Sequence, residues 1–279
     1  MFELEPEAFE RILPIVPPPA QAGHMAFAHA VIEGSMPGFI LVDDARKPSA
    51  AIVGNLCGFW HAIGTPDADL AGAAAPGLKA RVPENEPTSL WCATPAWEAL
   101  FDGYLDEKRW RYEYHFEGLP AGTPPVPAGM ELRPIDASIA GKFAGRVDPW
   151  VVNVWGGPRS FAERSFGFAL LDEGGEIASF CAACAIQADG WDGEVEIEIG
   201  TARAFRKQGL AAIVGAAFIS ECARRRLKPA WTCAADNEAS RRSAACLGFK
   251  EFRRVAGYVL LAGPGEPPDA GAGETPISQ

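Results

Sequence analysis

The sequence has few basic groups: 25 lysines and arginines stand against 36 aspartates and glutamates in 279 residues, a formal net charge of −11. Because nonspecific nucleic-acid binding depends on neutralising phosphates, this acidity argues against a nucleic-acid partner. The sequence also lacks an uninterrupted apolar run long enough to span a bilayer. Its acidic N-terminus lacks the basic and apolar segments of a secretory signal. We therefore expect a cytoplasmic protein without a membrane partner.

The cysteines and histidines form no pattern that is typical of a metal site. Seven cysteines are an odd number without a regular framework, and the four histidines all lie in the first half of the chain. Cys181 and Cys184 form a CxxC, but they lie in an apolar run that predicts a buried strand, where they would point to opposite faces. Since no second CxxC or histidine pair lies at zinc spacing, we expect buried core cysteines and no metal.

Charge is distributed unevenly along the chain. Residues 1–128 hold 8 basic and 17 acidic groups, whereas residues 129–262 hold 17 and 16. The second segment is therefore almost free of net charge, which suits an anionic ligand better than the first. Apolar residues make up 48% of the chain, enough for a sizeable core.

A segment dense in proline and glycine, residues 118–129, divides the chain. Proline cannot continue a helix or a central strand, so we interpret this segment as a domain linker. We expect a mixed α/β domain at residues 1–117, with a structural or substrate-shaping role and no motif that carries chemistry. A second domain follows at residues 130–262, and the Gly/Pro-rich tail at residues 263–279 is expected to be disordered.

An anion site is predicted where a strand, a glycine-bearing turn and a helix follow one another. The strand is Glu194–Ile199, the turn is Arg206–Ala211, and an amphipathic run over residues 212–226 follows. The first turn of a helix has backbone N–H groups without helical partners and the positive end of the helix dipole, which together favour an anion. Gly209 has no Cβ and lets the backbone approach the ligand. Taken alone, the turn predicts a phosphate cradle that several nucleotide-binding folds share.

The glutamates of the strand before this turn are candidate catalytic groups. Glu194, Glu196 and Glu198 alternate with apolar residues, so all three point to one face of the strand. They form either a solvated face or a site with a general base for an amine. We favour Glu196 as the base, because it lies near the middle of the strand, with Glu198 second. Clustered carboxylates raise one another's pKa, which would help a base to work near neutral pH.

Two motifs and the order of the predicted elements resemble the GNAT superfamily of acyl-CoA N-acyltransferases. Arg206–Ala211 is similar to the family motif Arg/Gln-x-x-Gly-x-Gly/Ala. Asn237–Ser240, followed by Leu247–Phe249, is similar to the family pattern Asn-x-x-Ser/Ala and Leu-Gly-Phe. The resemblance covers residues 129–262 and implies a mixed, mostly antiparallel sheet flanked by helices. The smaller mixed α/β N-terminal domain resembles that of two-domain members, whose first domain can be a degenerate copy of the fold.

The resemblance implies an acetyl-CoA-dependent N-acetyltransferase, which transfers the acetyl group directly to a primary amine of a small molecule or peptide. The residues that it implies for cofactor binding are Ile199, Thr201, Arg206, Lys207, Gln208, Gly209, Leu210, Ala211 and Asn237. Many members carry a tyrosine four residues before the glycine of Leu-Gly-Phe, as general acid toward the leaving thiolate, whereas this chain has Ala244. This departure leaves open a non-catalytic acyl-CoA-binding or sensing module. Monomer and homodimer are both compatible with the sequence.

Overall fold

The computed structural model of the protein describes most of the chain, and the expected disordered tail lies outside the described residues. The described ranges are 1–17, 24–82, 88–105, 107–120, 124–187 and 193–260. None of the helices in these ranges is long and apolar enough to cross a bilayer.

Twelve strands of the described residues form one mixed sheet. They are β1 (Phe2–Glu3), β2 (Gly38–Val42), β3 (Ala50–Asn55), β4 (Phe59–Gly64), β5 (Thr88–Cys92), β6 (Lys108–Phe116), β7 (Glu131–Pro134), β8 (Gly167–Leu171), β9 (Ile177–Ile186), β10 (Glu194–Thr201), β11 (Lys228–Ala234) and β12 (Phe249–Leu260). Their spatial order is β1-β2-β3-β4-β5-β12-β6-β11-β10-β9-β8-β7. The β4–β5 and β10–β11 pairs are parallel, and the other pairs are antiparallel.

Helices pack on the sheet and close the cores. A 3₁₀ helix spans Pro6–Ile15, and the α-helices are α1 (Ala26–Ile32), α2 (Ala68–Ala80), α3 (Pro95–Phe101), α4 (Ala137–Ala140), α5 (Phe143–Arg146), α6 (Trp150–Asn153), α7 (Pro158–Arg164), α8 (Leu210–Arg225) and α9 (Glu238–Cys246). Cys181 belongs to the core under α8, whereas Cys184 belongs to the core with α1 and α4 to α7. The two cysteines therefore point to opposite faces of β9, as the sequence predicts, and both are buried free thiols.

The two halves of the chain share strands. β6, from the first half, lies between β11 and β12 of the second half, with Tyr114 opposite Trp231 and Phe116 opposite Phe249. The end of β12 in turn pairs with β5 of the first half. Each half therefore completes the sheet of the other. The domain boundaries expected on either side of the linker, residues 118–129, therefore stay a prediction.

Candidate functional site

The turn before α8 presents an open helix N-terminus. Lys207 and Gly209 both have positive φ, and Gly209 is the N-cap residue of this 16-residue helix. No side chain of the described residues caps the first turn. A Cβ built on Gly209 would meet nothing within 4 Å, so the space beside these N–H groups is open. Such a helix N-terminus fits the phosphate groups that the sequence predicts here.

Two side chains of the turn donate hydrogen bonds to nearby backbone. Arg206 Nε donates to the carbonyl oxygen of Thr201 at 3.2 Å, and Gln208 Nε2 donates to that of Ala204 at 3.4 Å. The first bond ties the turn to the end of β10. Arg206, Lys207 and Gln208 are exposed, so their remaining donors face solvent.

A gap opens between β10 and β11 next to this turn. The parallel pairing joins Glu194–Glu196 to Lys228–Ala230 and goes no further among the described residues, whereas β10 stays paired with β9 as far as Thr201. A bulge between Glu196 and Ile197 accompanies the change. Backbone groups of residues 197–201 on the β11 side are therefore available to an extended ligand. Ile199 and Thr201, which the family resemblance implies for cofactor binding, lie along this gap.

The glutamate face of β10 is not a solvated face. Glu194 and Glu196 are 6% and 5% exposed on a central strand between β9 and β11, and residues of the first half lie against their face of the sheet. Glu194 Oε1 lies 3.3 Å from His24 Nδ1. Glu196 Oε1 accepts a 2.7 Å hydrogen bond from the hydroxyl of Thr232, which in turn accepts one from the guanidinium of Arg111. Of the two alternatives that the sequence leaves open, the solvated face is therefore wrong for these two residues.

The charges in this cluster compensate one another. Burial would lower the pKa of His24, but the hydrogen bond to Glu194 and the charges of Glu196, Glu194 and Glu113 outweigh burial and raise it to about 9. Burial raises the pKa of Glu196, against the opposing charges of His24 and Arg111. A carboxylate with these fixed partners is suited to holding the two halves together, since His24 and Arg111 come from the first half.

Glu198 has different surroundings. It is half-buried and lines a pocket of about 680 Å³. Burial raises the pKa of Glu198 to about 7, and the charges of Asp148 and Glu196 act in the same direction. A carboxylate that titrates near neutral pH and faces a pocket suits a general base. The geometry therefore favours Glu198 over Glu196, which reverses the order that the sequence suggested.

Asn237 caps the start of α9, and Ala244 lies on the buried side of this helix. Asn237 Oδ1 accepts a 3.0 Å hydrogen bond from the backbone N–H of Ser240, so Asn237 is the N-cap of this short helix. Ala244 is fully buried in the core under α8, and this position presents no phenol. Among the described residues, no group of three or more His, Cys, Asp and Glu could hold a metal ion.

The sequence motifs do not reveal several polar groups that lie around the glutamates, because these groups come from the first half of the chain. Arg111 lies on β6, and His24 lies two residues before the start of α1. The alternation of aromatic and polar residues along β6 places Arg111 and Glu113 on one face. That pattern predicts the strand, but it gives no sign that the strand pairs with β11.

Comparisons with solved structures identify the fold. A GCN5-related N-acetyltransferase-like protein from Streptococcus suis has a TM-score of 0.67 at 23% identity, over 90% of this chain and 98% of its own. A tandem GNAT protein from the clavulanic acid biosynthesis pathway has a TM-score of 0.60 at 12% identity, over 93% and 96%. The architecture is thus that of GNAT proteins, and the mixed α/β fold class expected from the sequence is confirmed.

Sequence comparisons then give the family. The family model described as GNAT acetyltransferase matches residues 20–258, and the chain belongs to this family. An uncharacterized N-acetyltransferase of Bacillus subtilis, YdfB, is 25% identical over 238 residues, which cover 83% of this chain and 89% of YdfB. The resemblance seen in the motifs starts at residue 129, whereas the family match starts at residue 20. The family match therefore includes most of the first half of the chain.

Proposed function

We propose that the protein transfers the acetyl group of acetyl-CoA directly to a primary amine of a small molecule or peptide. The observation that carries this proposal is that one strand, β10, combines an open edge leading to the α8 N-terminus with a carboxylate, Glu198, that faces a pocket. Membership of the family supports the acetyltransferase class. The name of the Bacillus subtilis relative supports nitrogen as the acceptor atom.

Acetyl-CoA would lie along the open edge of β10. Its pyrophosphate would accept hydrogen bonds from the backbone of the turn at residues 207–211, with Arg206 and Lys207 adding charge. Its extended pantetheine arm would pair with β10 at Ile199 and Thr201, in the manner of an added strand. Asn237 would face the arm from the end of β11. Its side-chain oxygen caps α9, so its amide nitrogen would be available to donate a hydrogen bond to the arm.

The transfer needs a neutral amine, since an ammonium has no lone pair. The ammonium form first loses one proton to solvent. The neutral amine nitrogen then attacks the thioester carbonyl, so that a C–N bond forms while the C–S bond breaks and the excess proton passes from nitrogen to the Glu198 carboxylate. Backbone N–H groups along the open edge stabilise the negative charge that develops on the carbonyl oxygen. CoA leaves as the thiolate and takes a proton from water, because Ala244 provides no acid.

Substitution of Gly209 tests where the donor binds. Gly209→Ile fills the open space beside the cradle and strains a backbone with a φ of +77°. We expect at least a ~100-fold loss of acetyl-CoA affinity by titration calorimetry, equal to about 2.7 kcal/mol. Gly34→Ile is the matched control, because Gly34 also has positive φ (+69°) and open space. Wild-type affinity in the Gly209 variant would contradict this placement of the donor.

A non-catalytic acyl-CoA-binding or sensing module is the second candidate function. Ala244 favours it, because the acid that many family members use is missing from this position. The two functions differ in one observable, the release of free CoA thiol in the presence of amines. Acetyl-CoA binding without thiol release on any amine of a broad panel would support the sensing module over the enzyme.

A further inference from the structure

The pocket in front of Glu198 has walls from both halves of the chain. The first half contributes two short segments, residues 36–37 after α1 and residues 56–59 at the β3–β4 turn. The second half contributes residues 148–156 around α6, together with Glu198 from β10. A volume of about 680 Å³ lies within the range that holds a whole small molecule. The N-terminal half thus takes part in forming this pocket.

Most of the lining is apolar, and its aromatic part is held in place by ring packing. The ring of Phe59 stacks on Phe27 with centroids 4.5 Å apart, and the ring of Trp150 lies 5.6 Å from Phe59. Leu56 stands at the β3–β4 turn with 65% of its surface exposed. A single exposed leucine is ordinary on a protein surface. Here it borders a preformed aromatic wall, where an apolar ligand would cover it.

The charged groups of the lining are all acidic. Asp148 and Glu198 line the pocket, and no lysine, arginine or histidine is among its described lining residues. The two carboxylates are close enough for the charge of Asp148 to disfavour ionisation of Glu198. Arg111 is not among the lining residues, because its guanidinium packs on Phe59, 5.2 Å from the ring centroid. Its charge lowers the pKa of Glu198 but does not outweigh burial and the charges of Asp148 and Glu196. A cation is therefore favoured at the end of the pocket that Glu198 occupies.

We propose that the acceptor is a primary amine on an aromatic or bulky apolar body, of the arylalkylamine class, with its ammonium group at Asp148 and Glu198 and its body against Phe59, Trp150 and Leu56. This assignment rests on the proposed acetyl transfer. It gives the N-terminal half a share in substrate selection, through the wall that residues 56–59 form. A polyamine would leave the apolar wall uncovered and place its further charges against it, and a small aliphatic amine would leave most of the volume unused.

A panel of amines tests the substrate class. The full-length protein is assayed by thiol release with acetyl-CoA and 2-phenylethylamine, tryptamine, ethylamine or spermidine. We expect kcat/KM for the two arylalkylamines to exceed that for ethylamine and spermidine by at least ~10-fold, since the transition state buries the ring. Equal or faster turnover of ethylamine or spermidine would overturn the assignment.

Variants of the first-half wall test its part in selection. Leu56→Asn replaces the apolar contact at the rim with a neutral polar group, which adds no charge that could itself attract the ammonium. We expect at least a ~10-fold rise in KM for 2-phenylethylamine with no change in KM for acetyl-CoA. Leu13→Asn is the matched control, since Leu13 is also exposed, at 41%, and is not among the described residues that line the pocket. An equal response of the two variants would contradict a selecting wall.

Binding measurements separate failure of this assignment from failure of the proposed function. The protein saturated with CoA is titrated with 2-phenylethylamine and, in parallel, with 2-phenylethanol, which has the ring but no cation. Amine binding at least ~10-fold tighter than alcohol binding, without turnover of any amine, would sustain the pocket assignment and refute acetyl transfer. Absence of amine binding would refute the pocket assignment itself.

Discussion

Two glutamates, two positions apart on β10, have different environments and therefore different chemistry. Glu196 accepts a hydrogen bond from Thr232 and lies near Arg111 and His24, which fix its orientation. Glu198 faces the pocket, and burial together with the charge of Asp148 brings its pKa to about 7. Two side chains that point to the same face of a strand can therefore differ in chemistry. The neighbouring elements determine which of the two carboxylates is accessible from the pocket.

The first residue-scale prediction concerns Glu198. A base with a pKa of about 7 is active when deprotonated, so kcat/KM for the amine should rise as pH increases through about 7 and then level off, apart from titration of the amine. In Glu198→Gln this rise should disappear, and the rate above pH 7 should fall by about 10²–10³-fold. Initial rates across the pH range check this, with KM for acetyl-CoA expected to stay constant. A wild-type pH profile in the variant would exclude Glu198 as the base.

Thr232 gives a second prediction at the same scale. Thr232→Val removes the hydroxyl that bridges Arg111 and Glu196 and leaves a buried carboxylate with one donor fewer. We expect a loss of about 1–3 kcal/mol in the free energy of unfolding, measured by urea denaturation. Thr65→Val, at an exposed position, is the control and should change stability by no more than about 0.5 kcal/mol. Equal effects of both variants would argue against the buried polar cluster.

At the scale of elements, the starts of two helices border the proposed donor site. α8 begins at Gly209 with its first turn uncapped, which leaves N–H groups for a ligand. α9 begins at Asn237, whose side chain caps the helix. Between them, β11 ends its pairing with β10 after Glu196 and opens the edge where the donor would lie. We therefore propose that the start of α8 serves donor binding, whereas the start of α9 is held by its own cap.

Substitutions of Asn237 separate these two roles. Serine caps helices about as well as asparagine but lacks the amide nitrogen, so Asn237→Ser should keep the stability of the wild type and raise KM for acetyl-CoA. Asn237→Ala should also lose about 1 kcal/mol of stability, because the N–H of Ser240 loses its acceptor. Thermal unfolding and steady-state kinetics of both variants check this. An unchanged KM in Asn237→Ser would restrict the residue to capping.

The sequence predicts the local elements of the site, and tertiary contacts determine the rest. The strand at Glu194–Ile199 and the turn at Gly209 follow from alternation and from glycine. The placement of β6 between β11 and β12 does not follow, because strand pairing depends on contacts between distant parts of the chain. The contact between Arg111 and Thr232 depends on this pairing, and no sequence motif predicts it. For the same reason Glu196 cannot be distinguished from Glu198 by sequence alone.

At the scale of the whole molecule, strand exchange joins the two halves. β6 completes the sheet of the second half, and the end of β12 completes that of the first. Charged contacts cross between the halves as well, such as Arg253 with Glu113 at 2.6 Å. The pocket lies where both halves meet, so its shape depends on this exchange.

We therefore expect the molecule to unfold cooperatively. Far-ultraviolet circular dichroism and tryptophan fluorescence should give coincident urea transitions, because neither half can keep its sheet once the other has unfolded. Saturating acetyl-CoA should shift both transitions equally. Two separate transitions, with only one responding to acetyl-CoA, would instead indicate independent domains on either side of residues 118–129.

Single-turnover transfer from acetyl-CoA to 2-phenylethylamine tests the central claim most directly. Protein in excess over acetyl-CoA is mixed with the amine, and mass spectrometry follows free CoA and the acetylated amine together. We predict that both products appear at equal rates and in equal amounts, and that Glu198→Gln slows both by about 10²–10³-fold. Bound acetyl-CoA that stays intact, or free CoA without acetylated amine, would contradict an N-acetyltransferase acting at this pocket.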